Sequence, residues 1–316
     1  MKPFIVVSDG FDKNLFAELV KNPNLEVYPE SKITQDKLKE LLPKISGLVI
    51  RSATTVTADL LEMAPNLKLV IRAGEGTDNI DKKSCEQKGV KVANTPGANN
   101  NSAAEHAIAL MLSCLRMTAQ ADQSMRTGAW DKNSFTGLEL THKTIGVVGF
   151  GRIGQIVAKR LSGFEPKVLF FDPFTEKTDI PYAKKVTQLE ELFEQSDIVT
   201  IHTPLMNETK NLIGEKLLSK MKPTSILINA ARGGIVDEAA LLEALKAKKL
   251  KAAGFDVFAS EPLPENSPLR NLPNLITTPH LGASTEEAQV RVGEMVLHQL
   301  DQFFVKGELL NEVKAK

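Results

Sequence analysis

The stretch Thr144-Ile-Gly-Val-Val-Gly-Phe-Gly-Arg-Ile-Gly154 decides the fold of this 316-residue chain. It predicts a buried strand that turns, through Gly149, Gly151 and Gly154, into a helix over residues 155–161. The first glycine permits a sharp turn, the second lets backbone N–H groups approach a pyrophosphate, and the third lets the helix pack on the strand. The positive end of the helix dipole favours an anion at the same place. The stretch is therefore typical of a dinucleotide-binding turn in a Rossmann fold.

A carboxylate follows the next apolar segment at the expected distance. Lys167-Val-Leu-Phe-Phe171 predicts a strand that ends at Asp172, about 20 residues beyond the glycines, where an acidic side chain meets the adenosine ribose. Such a carboxylate accepts hydrogen bonds from the ribose hydroxyls and repels a 2′-phosphate, and residues 173–175 include no arginine to hold one. The pattern favours NAD over NADP. The alternative is that Asp172 is only a turn residue before Pro173.

Composition narrows the class of protein. Hydrophobic residues make up 42% and charged residues 25% of the chain, which is ordinary for a soluble globular protein of two domains. Thirty-nine basic residues offset 39 acidic ones, so we expect a small-molecule substrate held by a local site and no nucleic-acid or membrane partner. No signal peptide or membrane span is predicted, and we expect a cytoplasmic protein. Cys85 and Cys114 are too few for a disulfide framework or metal site, and we expect reduced thiols.

Two series of alternating strands and helices indicate an α/β protein with parallel sheets. The first series predicts strands at 4–7, 25–28, 47–50 and 67–71, helices near 14–21 and 35–42, and an apolar segment at 60–63. The second predicts strands at 145–148, 168–171, 198–202, 225–229, 252–256 and 275–278. A linking helix is predicted at 102–118, with Ser102 as its N-cap and Glu105 as the capping-box partner. A helical tail at 284–304 is expected to pack back on the first domain.

Three polar residues follow strands of the second series, at the sheet edge where open α/β sheets bind ligands. His280 is suited to exchange a proton at neutral pH, and Glu261 would fix its tautomer and stabilise the imidazolium. Arg232 would grip a substrate carboxylate with two parallel hydrogen bonds. Each has a plainer alternative: a turn residue for the histidine, a solvated loop charge for the glutamate, and a helix cap or ion pair for the arginine.

Four motifs carry a family resemblance: 148–154 (VGFGRIG), 202–205 (HTPL), 229–237 (NAARGGIVD) and 279–285 (PHLGAST). Together they resemble the D-isomer-specific 2-hydroxyacid dehydrogenases, and the resemblance covers essentially the full chain. It implies a Rossmann NAD-binding domain at residues 102–283, inserted in a flavodoxin-like substrate-binding domain. The latter is made from residues 1–101 and 284–316.

The resemblance also implies roles for single positions. It implies that Arg232, Glu261 and His280 are catalytic. The implied cofactor-binding positions are Gly149, Gly151, Arg152, Ile153, Gly154, Asp172, Thr203, Ala230, Arg232, Asp256, His280, Gly282 and Ala283, with Asp256 on the nicotinamide carboxamide. The expected substrate-binding positions are Arg51, Arg72, Ala73, Gly74, Arg232 and His280. No metal is expected.

Three further stretches, 49–57, 72–81 and 94–105, resemble the branch of the family that oxidises D-3-phosphoglycerate to 3-phosphohydroxypyruvate, the first step of phosphorylated serine biosynthesis. One departure is Glu75, which stands where the family commonly has threonine and would repel a phosphate. The alternatives are another 2-hydroxy acid (glycerate, glyoxylate or lactate) and an NAD-sensing transcriptional regulator. Formate dehydrogenases are disfavoured because they carry glutamine in place of Glu261.

The resemblance further implies a homodimer, through an arm at residues 125–140. Trp130 is expected to anchor that arm in the dimer contact. Lys132 would either reach the neighbouring subunit's phosphate or remain a solvated surface lysine. The chain leaves no room for the C-terminal serine-binding domain of longer relatives, so feedback inhibition through that domain is not expected.

Overall fold

The computed structural model describes residues 1–315 and contains two compact units. One unit is Met1–Asn99 together with the chain from Ala283 onward, and the other is Asn100–Gly282. The sequence predicts boundaries after residues 101 and 283. Each unit holds one sheet in which every strand pairing is parallel, so the predicted fold class is confirmed.

The first unit has a five-stranded sheet in the order β2-β1-β3-β4-β5, which is the flavodoxin-like order. Its strands are β1 (Phe4–Val7), β2 (Glu26–Val27), β3 (Gly47–Ile50), β4 (Leu69–Arg72) and β5 (Lys91–Asn94). Its first helices are α1 (Lys13–Val20), α2 (Gln35–Leu41), α3 (Ala58–Glu62) and α4 (Lys82–Gln87). All four residues of β3 are buried, and three of them are leucine, valine or isoleucine. This is expected of a strand that is covered on both faces of its sheet.

The second unit has a seven-stranded sheet in the order β12-β11-β10-β9-β6-β7-β8. Its strands are β6 (Thr144–Val148), β7 (Lys167–Phe171), β8 (Ala183–Lys185), β9 (Ile198–Ile201), β10 (Ile226–Asn229), β11 (Ala252–Phe255) and β12 (Leu275–Thr277). Its helices are α5 (Asn100–Arg116), α6 (Thr118–Arg126), α7 (Arg152–Arg160), α8 (Leu189–Gln195), α9 (Glu215–Leu218) and α10 (Glu238–Lys246). Because β6 lies between β7 and β9, the strand order reverses there, and ligands bind at such a switch point.

Helix α5 differs from its prediction. It begins at Asn100 and ends at Arg116, where Met117 adopts a left-handed φ of 51°. Ser102 is not the N-cap: it lies inside the helix, 4% exposed, and its hydroxyl has no hydrogen-bond partner among residues 1–315. Glu105 forms an ion pair with Arg160 at 3.1 Å instead of a capping box. Asparagine starts helices as well as serine does, so the asparagines before Ser102 allow the earlier start.

The C-terminal tail forms α11 (Glu286–Asp301), which begins at a Thr285 N-cap and packs on α1. Gly293 permits this approach, since a Cβ there would lie 2.5 Å from Leu15 Cδ1. Val296 and Leu300 are fully buried in the apolar cluster of the first unit. The tail therefore completes the core of the first unit.

Candidate active site

The glycine turn after β6 leaves space for a ligand and little space for side chains. Gly149 has a left-handed φ of 88°, and a Cβ there would lie 2.7 Å from the carbonyl oxygen of His202. A Cβ on Gly154 would overlap the Gly149 carbonyl oxygen, whereas Gly151, the N-cap of α7, has open space around it. Arg152 opens that helix, with Ile153 next, so their N–H groups belong to its unsatisfied first turn. These residues fit a pyrophosphate.

Asp172 directly follows β7 and is 8% exposed. Its Oδ2 accepts a hydrogen bond from Phe150 N at 2.7 Å, and its Oδ1 accepts from Phe174 N at 2.7 Å and Thr175 N at 3.0 Å. The side chain therefore holds its own turn, as the plainer interpretation predicted. It also stands beside the glycine turn, where one lone-pair position remains for a ligand hydroxyl.

The ends of β9 and β10 supply further positions at the same edge. Burial lowers the pKa of His202 to about 4, so its imidazole is neutral, and it hydrogen-bonds Thr200 Oγ1 at 2.9 Å. The next residue, Thr203, has a buried hydroxyl without a hydrogen-bond partner in the described part of the chain. Ala230 follows β10 immediately. An unpartnered hydroxyl at the switch point is suited to a bound ligand.

The structure brings His280 and Glu261 together. His280 Nδ1 lies 2.6 Å from Glu261 Oε2, and Glu261 Oε1 accepts a hydrogen bond from Phe258 N at 3.0 Å. Burial by itself would raise the pKa of Glu261, but the hydrogen bonds from His280 and Phe258 outweigh it and leave that pKa below its ordinary value. The carboxylate therefore stays charged and binds one ring nitrogen. An imidazole held in this way can exchange a proton at Nε2.

Arg232 lies on a turn after β10 that two hydrogen bonds of the Asn229 side chain stabilise. Asn229 Nδ2 donates to Arg232 O at 3.0 Å, and Asn229 Oδ1 accepts from Ala231 N at 3.2 Å. The next residue, Gly233, packs so closely on the loop after β11 that a Cβ would overlap the Phe258 carbonyl. The turn of Arg232 thus abuts the loop of Glu261. The sequence signal for this contact is the pair of glycines at 233 and 234, directly after Arg232.

Asp256 is fully buried, and internal donors occupy its carboxylate. Oδ1 accepts from Thr278 Oγ1 and Leu281 N, and Oδ2 accepts from Gly282 N at 2.8 Å. Burial alone would raise the pKa of Asp256, but hydrogen bonds led by that from His106 keep it below its ordinary value. Oδ2 accepts from Gly282 N alone, so a contact with the nicotinamide carboxamide, as the resemblance implies, would have to use the second lone pair of that oxygen.

Two arginines lie at the ends of neighbouring strands of the first unit: Arg72 is the last residue of β4, and Arg51 directly follows β3. Ile50 pairs with Arg72 in the register of β3 and β4, and Arg51 is the next residue beyond that pair. Burial lowers the pKa of the Arg51 guanidinium, and the nearby Asp9 carboxylate opposes this. Asp9 Oδ2 also accepts from the backbone N of Arg51 at 2.7 Å. A partly buried cation held in this way is stabilised by an anionic ligand.

The turn after β4 is built around the Arg72 side chain. Its Nη1 donates to Ala73 O at 2.8 Å, and a Cβ on Gly74 would overlap the guanidinium. Glu75, the unexpected residue, accepts a hydrogen bond from Gly97 N at 2.7 Å on its Oε2. The Glu75 carboxylate therefore ties the turn after β4 to the turn after β5.

Two expected cofactor-binding positions, Gly282 and Ala283, lie between β12 and α11. Gly282 donates to Asp256 as described, and the Ala283 carbonyl accepts from Gln289 Nε2 at 2.9 Å. Trp130 is 83% exposed, and Lys132 is also exposed.

Burial raises the pKa of the Cys85 thiol to about 11 and that of Cys114 to about 12, so both are protonated and unreactive.

Within residues 1–315, no helix has both the length and the apolar character needed to cross a membrane. The same residues contain no cluster of three or more histidine, cysteine, aspartate or glutamate side chains that could hold a metal ion.

Comparison with known proteins adds a family match. Residues 108–282 match the family description "D-isomer specific 2-hydroxyacid dehydrogenase, NAD binding domain". This chain belongs to that family. A hydroxypyruvate reductase from Thermotoga maritima is 45% identical over 289 residues, covering 91% of this chain and 94% of that protein. A D-3-phosphoglycerate dehydrogenase from Archaeoglobus fulgidus is 44% identical over 297 residues, covering 94% of this chain but 56% of that protein.

Solved structures of similar dehydrogenases share the fold over the whole chain. An NAD-dependent formate dehydrogenase from Staphylococcus aureus in complex with NAD has a TM-score of 0.88 at 32% identity, with all of both chains covered. A glyoxylate reductase from Paecilomyes thermophila has a TM-score of 0.86 at 30% identity, covering 99% of this chain and 98% of that one. The cofactor of this dehydrogenase is NAD, and the glycine turn, the first turn of α7 and Asp172 are residues that fit it.

Proposed function

We propose that this dehydrogenase oxidises D-3-phosphoglycerate to 3-phosphohydroxypyruvate with NAD, as the first step of phosphorylated serine biosynthesis. The proposed proton transfer is supported mainly by the 2.6 Å contact between His280 Nδ1 and Glu261 Oε2. This pair lies at the edge of the same sheet as the glycine turn after β6. The observation that favours a phosphorylated substrate is the pair of arginines, Arg51 and Arg72, at adjacent strand ends of the first unit.

In the proposed reaction the substrate hydroxyl loses its proton to His280 Nε2. Glu261 holds the opposite nitrogen in its N–H form and stabilises the imidazolium that results. Arg232 binds the substrate carboxylate and polarises the oxygen on C2. Bound NAD supplies the hydride acceptor, so C2 loses one hydride and its oxygen one proton, which balances oxidation of an alcohol to a ketone.

The substrate carries two anionic groups, and one arginine is insufficient for both. We assign the phosphate to Arg51 and Arg72. The backbone N–H groups of Ala73 and Gly74 already donate to Ile50 O and Arg72 O, each at 2.8 Å, so these two residues shape the turn and leave the phosphate to the guanidinium groups. A guanidinium forms paired hydrogen bonds with phosphate oxygens, and this geometry distinguishes a phosphate from a neutral hydroxymethyl group.

A second candidate is reduction of hydroxypyruvate, which has no phosphate. Glu75 favours it, because a carboxylate at the same strand edge as the two arginines weakens the attraction for a dianion. The T. maritima relative is named a hydroxypyruvate reductase.

One assay separates the two candidates. NADH consumption is measured with 3-phosphohydroxypyruvate, hydroxypyruvate, glyoxylate, pyruvate and 2-oxoglutarate under identical conditions. We expect the highest kcat/KM for 3-phosphohydroxypyruvate and a large loss of that preference in Arg51→Ala. A higher kcat/KM for hydroxypyruvate, unchanged by Arg51→Ala, would replace the proposed substrate and leave the His280 chemistry intact.

We further propose that the protein is a cytoplasmic homodimer. Helix α6 has no buried residue, and Trp130 on the segment behind it exposes 83% of its surface. An exposed tryptophan on such an arm is suited to anchor an interface. Light scattering coupled to gel filtration is expected to give twice the chain mass for wild type and a shift toward monomer for Trp130→Ala. A monomeric wild type would rule out the dimer.

A further inference from the structure

Helix α5 carries a histidine that reaches the loop of His280. His106 Nε2 lies 3.0 Å from Thr278 Oγ1 and 3.1 Å from Asp256 Oδ1. Its side chain is 18% exposed. Nothing in the sequence pattern distinguished His106 from a structural helix residue, because its partners are 150 or more positions away in the chain.

The donors and acceptors around the His106 ring determine which of its nitrogens carries a proton. Thr278 has one hydroxyl proton, and the 2.6 Å contact shows it donated to Asp256 Oδ1. The threonine oxygen can then only accept from His106, and the carboxylate can only accept as well. His106 Nε2 must therefore carry a proton, and it is shared between these two oxygens.

The Asp256 carboxylate thus has four donors, three at Oδ1 and one at Oδ2. They are His106 Nε2, Thr278 Oγ1, Leu281 N and Gly282 N. The last two donors come directly after His280 in the chain, and Thr278 comes two residues before it. Asp256 also accepts from His280 N through its own backbone carbonyl at 2.8 Å.

The backbone of His280 needs this support. Its φ of 56° lies in the left-handed region, which is costly for a residue with a side chain and persists only where surrounding bonds hold it. We propose that His106 is a positioning residue: it orients the Asp256 carboxylate and the Thr278 hydroxyl, and through them it holds His280 for proton transfer. The inference rests on the proposed role of His280 in the dehydrogenase reaction.

The test compares His106→Leu, which removes the donor at similar volume, with His106→Gln, whose amide N–H can take the place of Nε2–H. The matched control is His298→Leu, an exposed histidine on α11. Three quantities are measured: kcat and KM with the 2-oxo acid that wild type reduces fastest, the NADH dissociation constant from fluorescence, and hydrogen exchange of peptides covering residues 278–283.

We expect kcat of His106→Leu to fall about tenfold, because a small displacement of a reacting group is enough for such a loss. The KM and the NADH dissociation constant should change less than about twofold. Exchange at Leu281 and Gly282 should become faster in His106→Leu and return toward wild type in His106→Gln, with most of the lost kcat.

Two results would overturn the inference: equal kcat in His106→Leu and wild type, or equal losses and equal exchange in the leucine and glutamine variants. Failure of the proposed function is recognised separately. If wild type reduces none of the oxo acids, or if His280→Ala keeps full turnover, the catalytic role of His280 is wrong. The exchange rates of residues 278–283 then still decide whether His106 holds that loop.

Discussion

Glu261→Gln is the substitution that tests the proposed chemistry most sharply. Glu261 accepts two hydrogen bonds through different oxygens, from His280 Nδ1 at 2.6 Å and from Phe258 N at 3.0 Å. Glutamine has one acceptor oxygen and one NH2 group, so it can satisfy only one of these donors. If its oxygen stays on Phe258 N, its NH2 faces Nδ1 and requires the other imidazole tautomer, with the proton on Nε2. That tautomer cannot accept a proton from the substrate hydroxyl. In the reverse reaction, an NH2 group facing Nδ1 opposes the imidazolium that must donate a proton to the 2-oxo acid.

The magnitude follows from the bond that is lost. A charge-assisted hydrogen bond contributes about 1.5–3 kcal/mol, and each 1.36 kcal/mol is about tenfold in rate. The side chains of His280 and Glu261 are 36% and 34% exposed, so solvent screening favours the lower end of that range. We therefore expect kcat to fall at least about tenfold, and further if the wrong tautomer dominates.

The assay is steady-state turnover of the preferred 2-oxo acid, with NADH binding followed by fluorescence. Glu265→Gln, an exposed glutamate on the same loop, is the matched control and should keep wild-type kcat. The proposed role of Glu261 is refuted if Glu261→Gln keeps kcat within about threefold of wild type. It is also refuted if the loss is one of NADH affinity alone, since Glu261 is proposed to act only through His280.

Three further predictions concern the cofactor turn, the buried carboxylate and the substrate edge. Gly149→Ala should abolish NADH binding in a fluorescence titration, because its Cβ would meet a carbonyl oxygen at 2.7 Å and its φ is 88°, whereas Gly151→Ala, with open space, should bind with a smaller loss. The pKa of Asp256 is lowered by folding, so its charge stabilises the protein above the unfolded value of about 3.9 and that contribution is lost as pH falls through the folded value. The Tm difference between wild type and Asp256→Asn should therefore be largest at neutral pH and shrink below about pH 4; a difference independent of pH would contradict this. Glu75→Gln should raise kcat/KM for 3-phosphohydroxypyruvate relative to hydroxypyruvate, by about two- to tenfold, because a negative charge near the phosphate is removed; an unchanged ratio in the same assay would show that the charge is irrelevant there.

The sequence by itself determined the features that depend on local backbone geometry. The glycine spacing after β6 predicted the cofactor turn because a positive φ and a close helix approach can be met only by glycine at those positions. The apolar runs predicted most strands, including β1 and β3 with their observed bounds. The sequence analysis did not predict β5 and β8, because each is short and contains two polar residues. Pairing with a neighbouring strand, and not a local apolar pattern, makes such segments extended.

Only the tertiary structure decided how the candidate site is assembled. Sequence reasoning proposed Glu261 and His280 as partners, but their distance depends on the order of β11 and β12 in the sheet and on loop conformations that no local pattern specifies. It also placed Asp256 toward the cofactor without finding the donors that surround it. His106 and Thr278 are 172 positions apart and meet only because α5 packs beside β11 and β12. Turns and strands are encoded by neighbours in the chain, whereas a hydrogen-bond network is encoded by whichever elements the folded core brings together.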